Sequence, residues 1–321
     1  MDFYEILKDD QETHILPLRQ SAVTPLYTFL VFDICDTDLF DLITTSNDLD
    51  RVESSSSGDL NNQYADRGDE DEFKIPRKSD APLSFPAINS VLTQLFIALE
   101  HCHQRGVSHG DLKPENVLVT FRNSSIGREK SIDDAREVSV YLTDFGLSTT
   151  ERQSQDFRTG STRYLSPDAL GCGDKDSYNT RSNDVWALGI IICNLFTGGM
   201  PWTTAHSESY SYAKFLSDPN FFIKEFGLPI VVSSFLRGLF LATEKDREDI
   251  RVWRTKWERV YKELKIPDPI LEVDSGYDSP TASIVSQPEV PASGKKPAAR
   301  EDWADIWDDD YVDFSVLPVF E

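Results

Sequence analysis

Two short polar segments constrain this chain more than any other feature. They are His109–Asn116, with the sequence HGDLKPEN, and Thr143–Gly146, with the sequence TDFG. The first supplies an acid, a cation and an amide within six residues, and the second supplies an acid before Phe-Gly. Phosphoryl transfer needs an acid to accept a hydroxyl proton, a cation beside the moving group, and oxygen side chains to hold Mg²⁺. The two segments therefore predict a phosphotransfer site.

The order and spacing of these segments resemble those of eukaryotic protein kinases. Further matches extend the resemblance over roughly residues 26–265, with gaps. Phe29–Cys35 corresponds to the strand entering the hinge, and Asp38–Ile43 to the first large-lobe helix. Ser166–Asp168 corresponds to the Ala-Pro-Glu segment, Asp184–Gly189 to the central helix, and Arg247 to a buried arginine. The resemblance implies an α+β, protein-kinase-like fold, with a mostly helical C-lobe and an incomplete N-lobe sheet.

The resemblance also implies roles for the polar residues of both segments. Asp111 is expected to be the catalytic base, and Lys113 to stabilise charge on the transferring phosphoryl group. Asn116 completes this catalytic set and, with Asp144, is expected to hold Mg²⁺ beside ATP. The DLKPEN form is typical of serine/threonine kinases, because tyrosine kinases usually lack this lysine. The implied activity is transfer of the ATP γ-phosphoryl group to Ser and Thr hydroxyls of proteins.

For ATP, the resemblance places adenine between the hinge and the floor of the large lobe. The expected contacts are the backbone of Asp33 and Cys35 above and the side chain of Leu118 below, with Phe32 as gatekeeper. Ser161 is expected to keep a hydroxyl near Asp111, on the substrate side.

Four further residues are expected to support the site: His109, Asp184, Asp168 and Arg247. His109 packs under the catalytic loop, and Asp184 accepts backbone N–H bonds from that loop. Asp168 stands where kinases carry Glu, so its pair with Arg247 is in question because Asp is one methylene shorter.

Gly110 departs from the family pattern, which has Arg there. That Arg pairs with a phosphate on the activation segment, so no switch through this contact is expected. Hydroxyls that remain as candidate phosphorylation sites are those of Thr149, Thr150, Ser154 and Thr159.

The N-terminal part of the chain lacks family landmarks. Met1–Thr28 contains no glycine, and Lys8 is the one lysine before the hinge. A kinase small lobe needs about 60–80 residues. The phosphate-covering loop, the ATP-binding lysine and its partner Glu are therefore expected to be missing, with weak ATP binding and little transfer. A truncated gene model and a degenerate kinase are both compatible with this.

Two other functions are alternatives to protein kinase activity. A non-catalytic pseudokinase or scaffold is favoured by the missing small lobe, and is opposed by the intact Asp111, Lys113, Asn116 and Asp144. A small-molecule phosphotransferase is weaker, because the Ser-Pro-Asp and central-helix motifs are protein-kinase features.

Composition limits the classes of partner that the chain is expected to bind. The chain has 55 acidic and 32 basic residues and a net charge of −23. Such a chain is not expected to bind nucleic acid or an anionic membrane, and suits basic protein substrates better. The four cysteines show no C-x-x-C spacing, no signal peptide is indicated, and the longest apolar run is too short for a membrane. A cytoplasmic or nuclear location is expected.

The chain divides by composition into an N-lobe remnant with hinge (1–35), a C-lobe (36–265) and a tail (266–321). Within the C-lobe, 44–83 is predicted to be a disordered insertion and 122–138 a surface loop, because polar runs bury too little apolar surface. The tail is predicted to be disordered and acidic. Its aromatic residues favour a second interpretation, a docking motif that orders on a partner; they are Trp303, Trp307, Tyr311 and Phe314.

Apolar periodicity predicts the regular elements of the C-lobe. The helices are expected at Pro86–Arg105, Ser182–Thr197, Val231–Ala242 and Val252–Leu264, and the strands at Val117–Val119 and Ser139–Leu142. A metal site at His101 and His103 is not expected, because residues two apart on a helix diverge.

Overall fold

The computed structural model describes residues 3–8, 13–44, 83–121, 138–173 and 175–264. They form an α+β structure with a helical core and three small antiparallel sheets. The predicted tail lies outside these residues, as do most of the insertion 44–83 and of the loop 122–138. The structure corrects both predictions at their edges. Thr44 is helical, Leu83 is buried, and Val138 is a buried strand residue. Leu83 and Val138 are apolar and pack in the core, so they do not belong to polar loops.

Helix α3, Phe85–Gln104, carries one face of the core. Pro86 lies in its first turn, where the missing N–H costs nothing. The apolar residues at helical spacing are buried as predicted: Ile88, Val91, Leu92, Leu95, Leu99 and Cys102. Gly106, with φ +78°, follows the end of the helix in the left-handed conformation that glycine adopts without strain.

Helix α4, Thr180–Thr197, is the buried centre of the molecule. The side chain of Asn179 accepts the Ser182 N–H and so caps the helix, which starts two residues before the predicted Ser182. The helix ends at Gly198, in the left-handed conformation. Its side chains are buried nearly all round, and rings pack against Trp186 from Trp202, Tyr212 and Phe240.

Six further helical segments surround this pair. They are α1 (Phe3–Ile6), α5 (Tyr210–Ser217), α6 (Phe221–Phe226), α7 (Ile230–Leu241), α8 (Glu244–Arg247) and α9 (Ile250–Leu264). Residues 39–44 form α2, at the predicted first large-lobe helix. The α9 helix packs on α3, where Trp257 Nε1 donates to Asn89 Oδ1 over 3.1 Å. In the part of the chain described here, no helix is long and apolar enough to cross a membrane.

The strands frame the catalytic segments. Strands β3 (Thr37–Asp38), β4 (Val117–Phe121) and β5 (Val138–Leu142) form one antiparallel sheet. A short pair, β6 (Gln153–Ser154) and β7 (Tyr178–Asn179), joins residues before and after the Ser-Pro-Asp segment. The β4 and β5 strands extend each predicted strand, and both contribute buried valines to the core.

The third sheet is a hairpin near the N-terminal end. Strand β1 (Leu18–Val23) pairs antiparallel with β2 (Thr28–Phe32), and the ladder ends at the Leu18–Phe32 pair. Its side chains are unusually exposed for apolar residues, from 44% at Leu30 to 82% at Leu26. The described part of the hairpin therefore exposes several apolar side chains.

Candidate active site

Two glycines allow three backbone segments to meet at the centre of the site. Gly110 has φ +83°, and a Cβ there would lie 2.4 Å from the carbonyl oxygen of Leu147. Gly160 has φ +99°, and its Cβ would lie 2.8 Å from the Gly110 oxygen and 3.3 Å from Asp111 Oδ1. Residues without side chains are thus needed where the segments around Asp111, Leu147 and Ser161 touch.

The carboxylate of Asp111 is held by residues of two segments. Its Oδ1 accepts the Ser161 N–H over 2.8 Å, and its Oδ2 accepts from Lys113 Nζ over 2.7 Å. Lys113 also donates to Ser161 Oγ over 3.1 Å, which closes a three-residue ring. Burial on its own would raise the pKa of Asp111, but these hydrogen bonds outweigh it and lower that pKa. Asp111 is therefore anionic at neutral pH, with lone pairs left for another donor.

Asn116 and Asp144 supply oxygen atoms beside this carboxylate. Asn116 Nδ2 donates to the Asp111 carbonyl over 2.8 Å, so its Oδ1 is left to accept or to coordinate. The Asn116 carbonyl accepts the Thr143 N–H over 3.0 Å, which brings the next residue, Asp144, to the same end of the sheet. Asp144 is exposed and in the left-handed conformation, and its Oδ1 accepts the Gly146 N–H.

This donor set fits Mg²⁺ in its chemistry. One carboxylate and one amide oxygen are the hard ligands that the ion takes from proteins, with water and phosphate oxygens completing its shell. Among the described residues, no group of three or more His, Cys, Asp or Glu side chains is placed to hold a metal. A sparse pair such as Asn116 and Asp144 suits an ion that is shared with a bound nucleotide.

Asp184 fixes the catalytic loop from below. Fully buried in α4, it accepts the N–H groups of His109 over 2.8 Å and Gly110 over 3.0 Å. His103 Nε2 contacts the same carboxylate at 3.0 Å, a partner that the sequence analysis missed. The only available signal was its place on the apolar face of α3, which does not name a partner.

His109 is buried and neutral. Its Nε2 donates to the Thr143 carbonyl over 2.9 Å, and its Nδ1 accepts the Asp111 N–H over 3.3 Å. This pattern needs the proton on Nε2 alone. Burial also lowers the pKa of His109, even though the nearby acids oppose this. The imidazole thus links the two catalytic segments through their backbones.

Four rings form a continuous column beside the site. His109 contacts Phe145 at 5.0 Å between centroids, Phe145 contacts Tyr4 at 5.1 Å, and Tyr4 contacts Phe32 at 4.9 Å. The hydroxyl of Tyr4 lies 3.4 Å from Thr143 Oγ1, and burial raises its pKa. The sequence analysis missed Tyr4, because a four-residue helix is too short to carry a periodic signal.

Asp168 reaches Arg247 despite its short side chain. Arg247 Nη2 donates to Asp168 Oδ2 over 3.2 Å, and Lys175 pairs with the other oxygen. Lys175 also contacts Glu244 at 3.0 Å, so a surface cation bridges two acids at the edge of α8. The buried pair that the sequence analysis placed in question is formed.

The residues expected around adenine lie on or near β4 and the segment that precedes β3. The Asp36 N–H donates to the Val119 carbonyl over 2.9 Å, which sets the hinge beside the strand that carries the half-buried Leu118. Asp33 is exposed, and its carboxylate pairs with Arg19. Within the described ranges, no hydrogen bond or ion pair joins Asp33 or Cys35 to Asp111 or Asp144. The structure brings the hinge to the floor strand, and brings the catalytic residues together separately.

Comparisons with known proteins agree with this geometry. Residues 4–225 match the family model described as protein kinase domain. The "Negative regulator of sexual conjugation and meiosis" of Schizosaccharomyces pombe is 34% identical over 180 residues, 50% of this chain and 35% of that protein. The "Serine/threonine-protein kinase ksp1" of the same organism is 34% identical over 131 residues, 41% of this chain and 26% of that protein.

A third relative comes from another yeast. The "Serine/threonine-protein kinase KSP1" of Saccharomyces cerevisiae is 26% identical over 222 residues, which are 67% of this chain and 20% of that protein. The matches span between 20% and 35% of the length of these three relatives.

Proposed function

Because the chain belongs to the protein kinase domain family, we propose that it is a serine/threonine protein kinase that uses Mg²⁺ and ATP. The observation that carries the proposal is the Asp111 carboxylate, held by the Ser161 N–H and by Lys113. A fixed anionic acid beside a cation and two oxygen ligands is what transfer to a hydroxyl requires. Two of the relatives reported above carry this activity in their names and support the class of acceptor.

In this proposal Asp111 orients the acceptor hydroxyl. Its lowered pKa keeps it ionised, so it accepts a hydrogen bond from a Ser or Thr hydroxyl and takes the proton as the new bond forms. The two donors to its carboxylate, the Ser161 N–H and Lys113 Nζ, fix the direction of that carboxylate in advance, and such positioning supplies much of the acceleration in phosphoryl transfer. Ser161 lies on the side from which the substrate enters.

Lys113 and the oxygen ligands act on the phosphoryl group. Lys113 is half-buried, and its pKa is raised because it donates to Asp111, so it stays charged and stabilises negative charge beside that acid. Asn116 Oδ1 and the Asp144 carboxylate would hold Mg²⁺. The ion, when bound, neutralises the charge of the phosphate oxygens. Gly146 orients Asp144 through its N–H, and His109 fixes the preceding carbonyl.

The adenine end is proposed to lie at the hinge. The β1–β2 ladder ends at Phe32, so the backbone groups of Asp33 and Cys35 follow outside that ladder. These groups would bind the base, Leu118 would contact it from below, and Phe32 would close the back of the pocket.

The finer features of substrates and surroundings are also proposed. The net charge of −23 favours basic protein substrates, and opposes nucleic acid and anionic membranes as partners. The four cysteines are free thiols, which supports a reducing, cytoplasmic or nuclear location. The acidic-aromatic tail would serve as a docking segment for a partner.

A radiolabel transfer assay with Asp111→Asn tests the function. The amide keeps the shape and the Ser161 contact but cannot take the proton, so the rate should fall about 10²–10⁴-fold. Asp249→Asn is the matched control, since Asp249 is remote and pairs with an exposed Arg251. Equal rates for Asp111→Asn and the native chain would contradict the proposal, as would transfer to small molecules without transfer to proteins.

The exposed hairpin favours a second candidate function. A pseudokinase or scaffold would use the apolar face of β1 and β2 to bind a partner, without transfer. Partner binding that is equal for the native chain and Asp111→Asn, with no transfer by either, would select this candidate.

A further inference from the structure

A cleft opens beside the point where Ser161 contacts Asp111. Its volume is about 610 Å³, and it lies between the segment around Thr162 and the loop before α5. Among the residues that line it are Arg158, Thr162, Thr203, Thr204, His206 and Glu208. Thr162 follows Ser161 directly in the chain, so the cleft starts one residue from the contact with Asp111.

Arg158 supplies a positive charge to this cleft without a matching acid. Its Nε donates to the Leu170 carbonyl over 3.2 Å, and its own N–H donates to the Ala169 carbonyl over 2.8 Å. No carboxylate of the described residues forms an ion pair with its guanidinium, whereas Arg152 of the same segment pairs with Glu248. The Nη atoms of Arg158 are therefore available to a ligand.

The backbone of Arg158 supports this view. It has φ +62°, one of three positive values among the described residues other than glycine, and another belongs to Asp144. This conformation costs roughly 1–2 kcal/mol for a residue with a side chain. The loop thus fixes the direction in which the exposed Arg158 side chain leaves the backbone, at some energetic cost.

The rest of the lining favours an anion over a cation. Three threonine hydroxyls can donate, and His206 Nδ1 accepts the Glu208 N–H over 3.2 Å, which leaves Nε2 to carry the proton. Glu208 is the one acid among the lining residues, and its side chain is 89% exposed. Because water screens this exposed carboxylate, it opposes the positive charge of Arg158 only weakly.

We propose that this cleft binds an acidic or phosphorylated side chain of the protein substrate, close to the acceptor hydroxyl. The inference rests on the proposed function and names the local sequence that the site selects. An extended peptide advances about 3.3 Å per residue, so the anionic side chain belongs to one of the three residues on either side of the acceptor. A basic peptide with one acidic residue near its acceptor suits both the negative net charge of the chain and the positive charge of Arg158 in the cleft.

A peptide series with one Ser in an Ala-Gly-Lys background tests the inference. Glu, phosphoserine or Ala is placed at each of the three positions on either side, and kcat/KM is measured for the full chain. At one position we expect Glu to exceed Ala by about fivefold and phosphoserine by about tenfold, both falling in high salt. In Arg158→Gln the ratio of acidic to Ala peptide should drop to about one.

Two variants separate the cleft from general charge. Arg163→Gln removes an exposed cation of the same segment that does not line the cleft, and should keep the native ratio. Glu208→Gln removes the opposing acid and should raise the ratio. Equal ratios for the native chain and Arg158→Gln would overturn the inference, as would an equal loss in Arg163→Gln.

Binding separates this inference from the proposed function. Fluorescence anisotropy with the labelled phosphoserine and Ala peptides needs no transfer. If no peptide is phosphorylated but the phosphoserine peptide binds more tightly through Arg158, the cleft stands and the kinase proposal fails. If peptides are phosphorylated and both bind equally, the kinase proposal stands and the inference about the cleft fails.

Discussion

Removing the guanidinium of Arg247 should destabilise the protein strongly. Arg247 is 2% exposed and donates to four acceptors: Asp168 Oδ2, Ser182 Oγ, the Ala242 carbonyl and the Phe240 carbonyl, at 2.9–3.4 Å. Its guanidinium also lies 5.0 Å from the Trp186 ring centroid. Arg247→Met keeps much of the volume but removes the donor from Ser182 Oγ and from the Ala242 and Phe240 carbonyls.

The magnitude follows from these contacts. Three neutral acceptors lose about 1 kcal/mol each, and the ring contact is worth about 1 kcal/mol. Asp168 keeps Lys175 as a partner, which limits the penalty for that acid, and the buried apolar Met returns about 1 kcal/mol. The net loss is about 3 kcal/mol, which lowers Tm by roughly 6–12 °C for a domain of this size.

The measurement is thermal and urea unfolding of Arg247→Met beside Arg251→Met. Arg251 pairs with Asp249 at 2.9 Å, but its side chain is 65% exposed, so its loss should lower Tm much less than the loss of Arg247. The comparison keeps the residue types constant and changes burial. Equal Tm shifts for the two variants would refute the reasoning that burial makes the Arg247 contacts strong.

Two further predictions concern the catalytic loop. Gly110→Ala should destabilise the chain more than Gly173→Ala in urea unfolding, by about 1 kcal/mol or more. Both glycines have positive φ, but only at Gly110 would a new Cβ meet another atom, the Leu147 carbonyl oxygen at 2.4 Å. Equal losses of stability in the two variants would contradict this. Lys113→Met should raise the pKa of Asp111, since Lys113 is the leading donor that lowers it. A lowered folded-state pKa stabilises the fold above the ordinary value of 3.8, so the stability difference between native chain and variant should be present at pH 7 and vanish as pH falls through the lowered pKa. Carboxyl NMR and unfolding at each pH measure both effects, and a difference that grows below pH 4 would contradict the assignment.

The elements that sequence predicts well are those with an apolar period. Helix α3 and helix α4 lie within two residues of their predicted ends, because buried faces and terminal glycines leave a repeated pattern. Strand β1 left no such pattern, since five of its six residues are exposed. Its pairing is set by the turn at Thr24 and Tyr27, not by burial.

At the site, the sequence analysis named the residues but not how they are held. The motif gives Asp111, Lys113 and Ser161 as separate residues, whereas their closed ring of hydrogen bonds depends on two glycines with positive φ. Whether the short Asp168 side chain reaches Arg247 could not be judged from its length alone. Lys175, which belongs to neither motif, supplies the second contact to Asp168.

The ring column has a thermodynamic consequence. Tyr4 lies between Phe32 at the end of β2 and Phe145, directly after Asp144, and His101 and Arg105 bind the carbonyls of Leu7 and Ile6. Under the proposed function, α1 therefore contacts both the hinge end and the metal-ligand end of the nucleotide site. By reciprocity, any change in nucleotide affinity produced by ordering α1 would be matched by an equal effect of bound nucleotide on the order of α1.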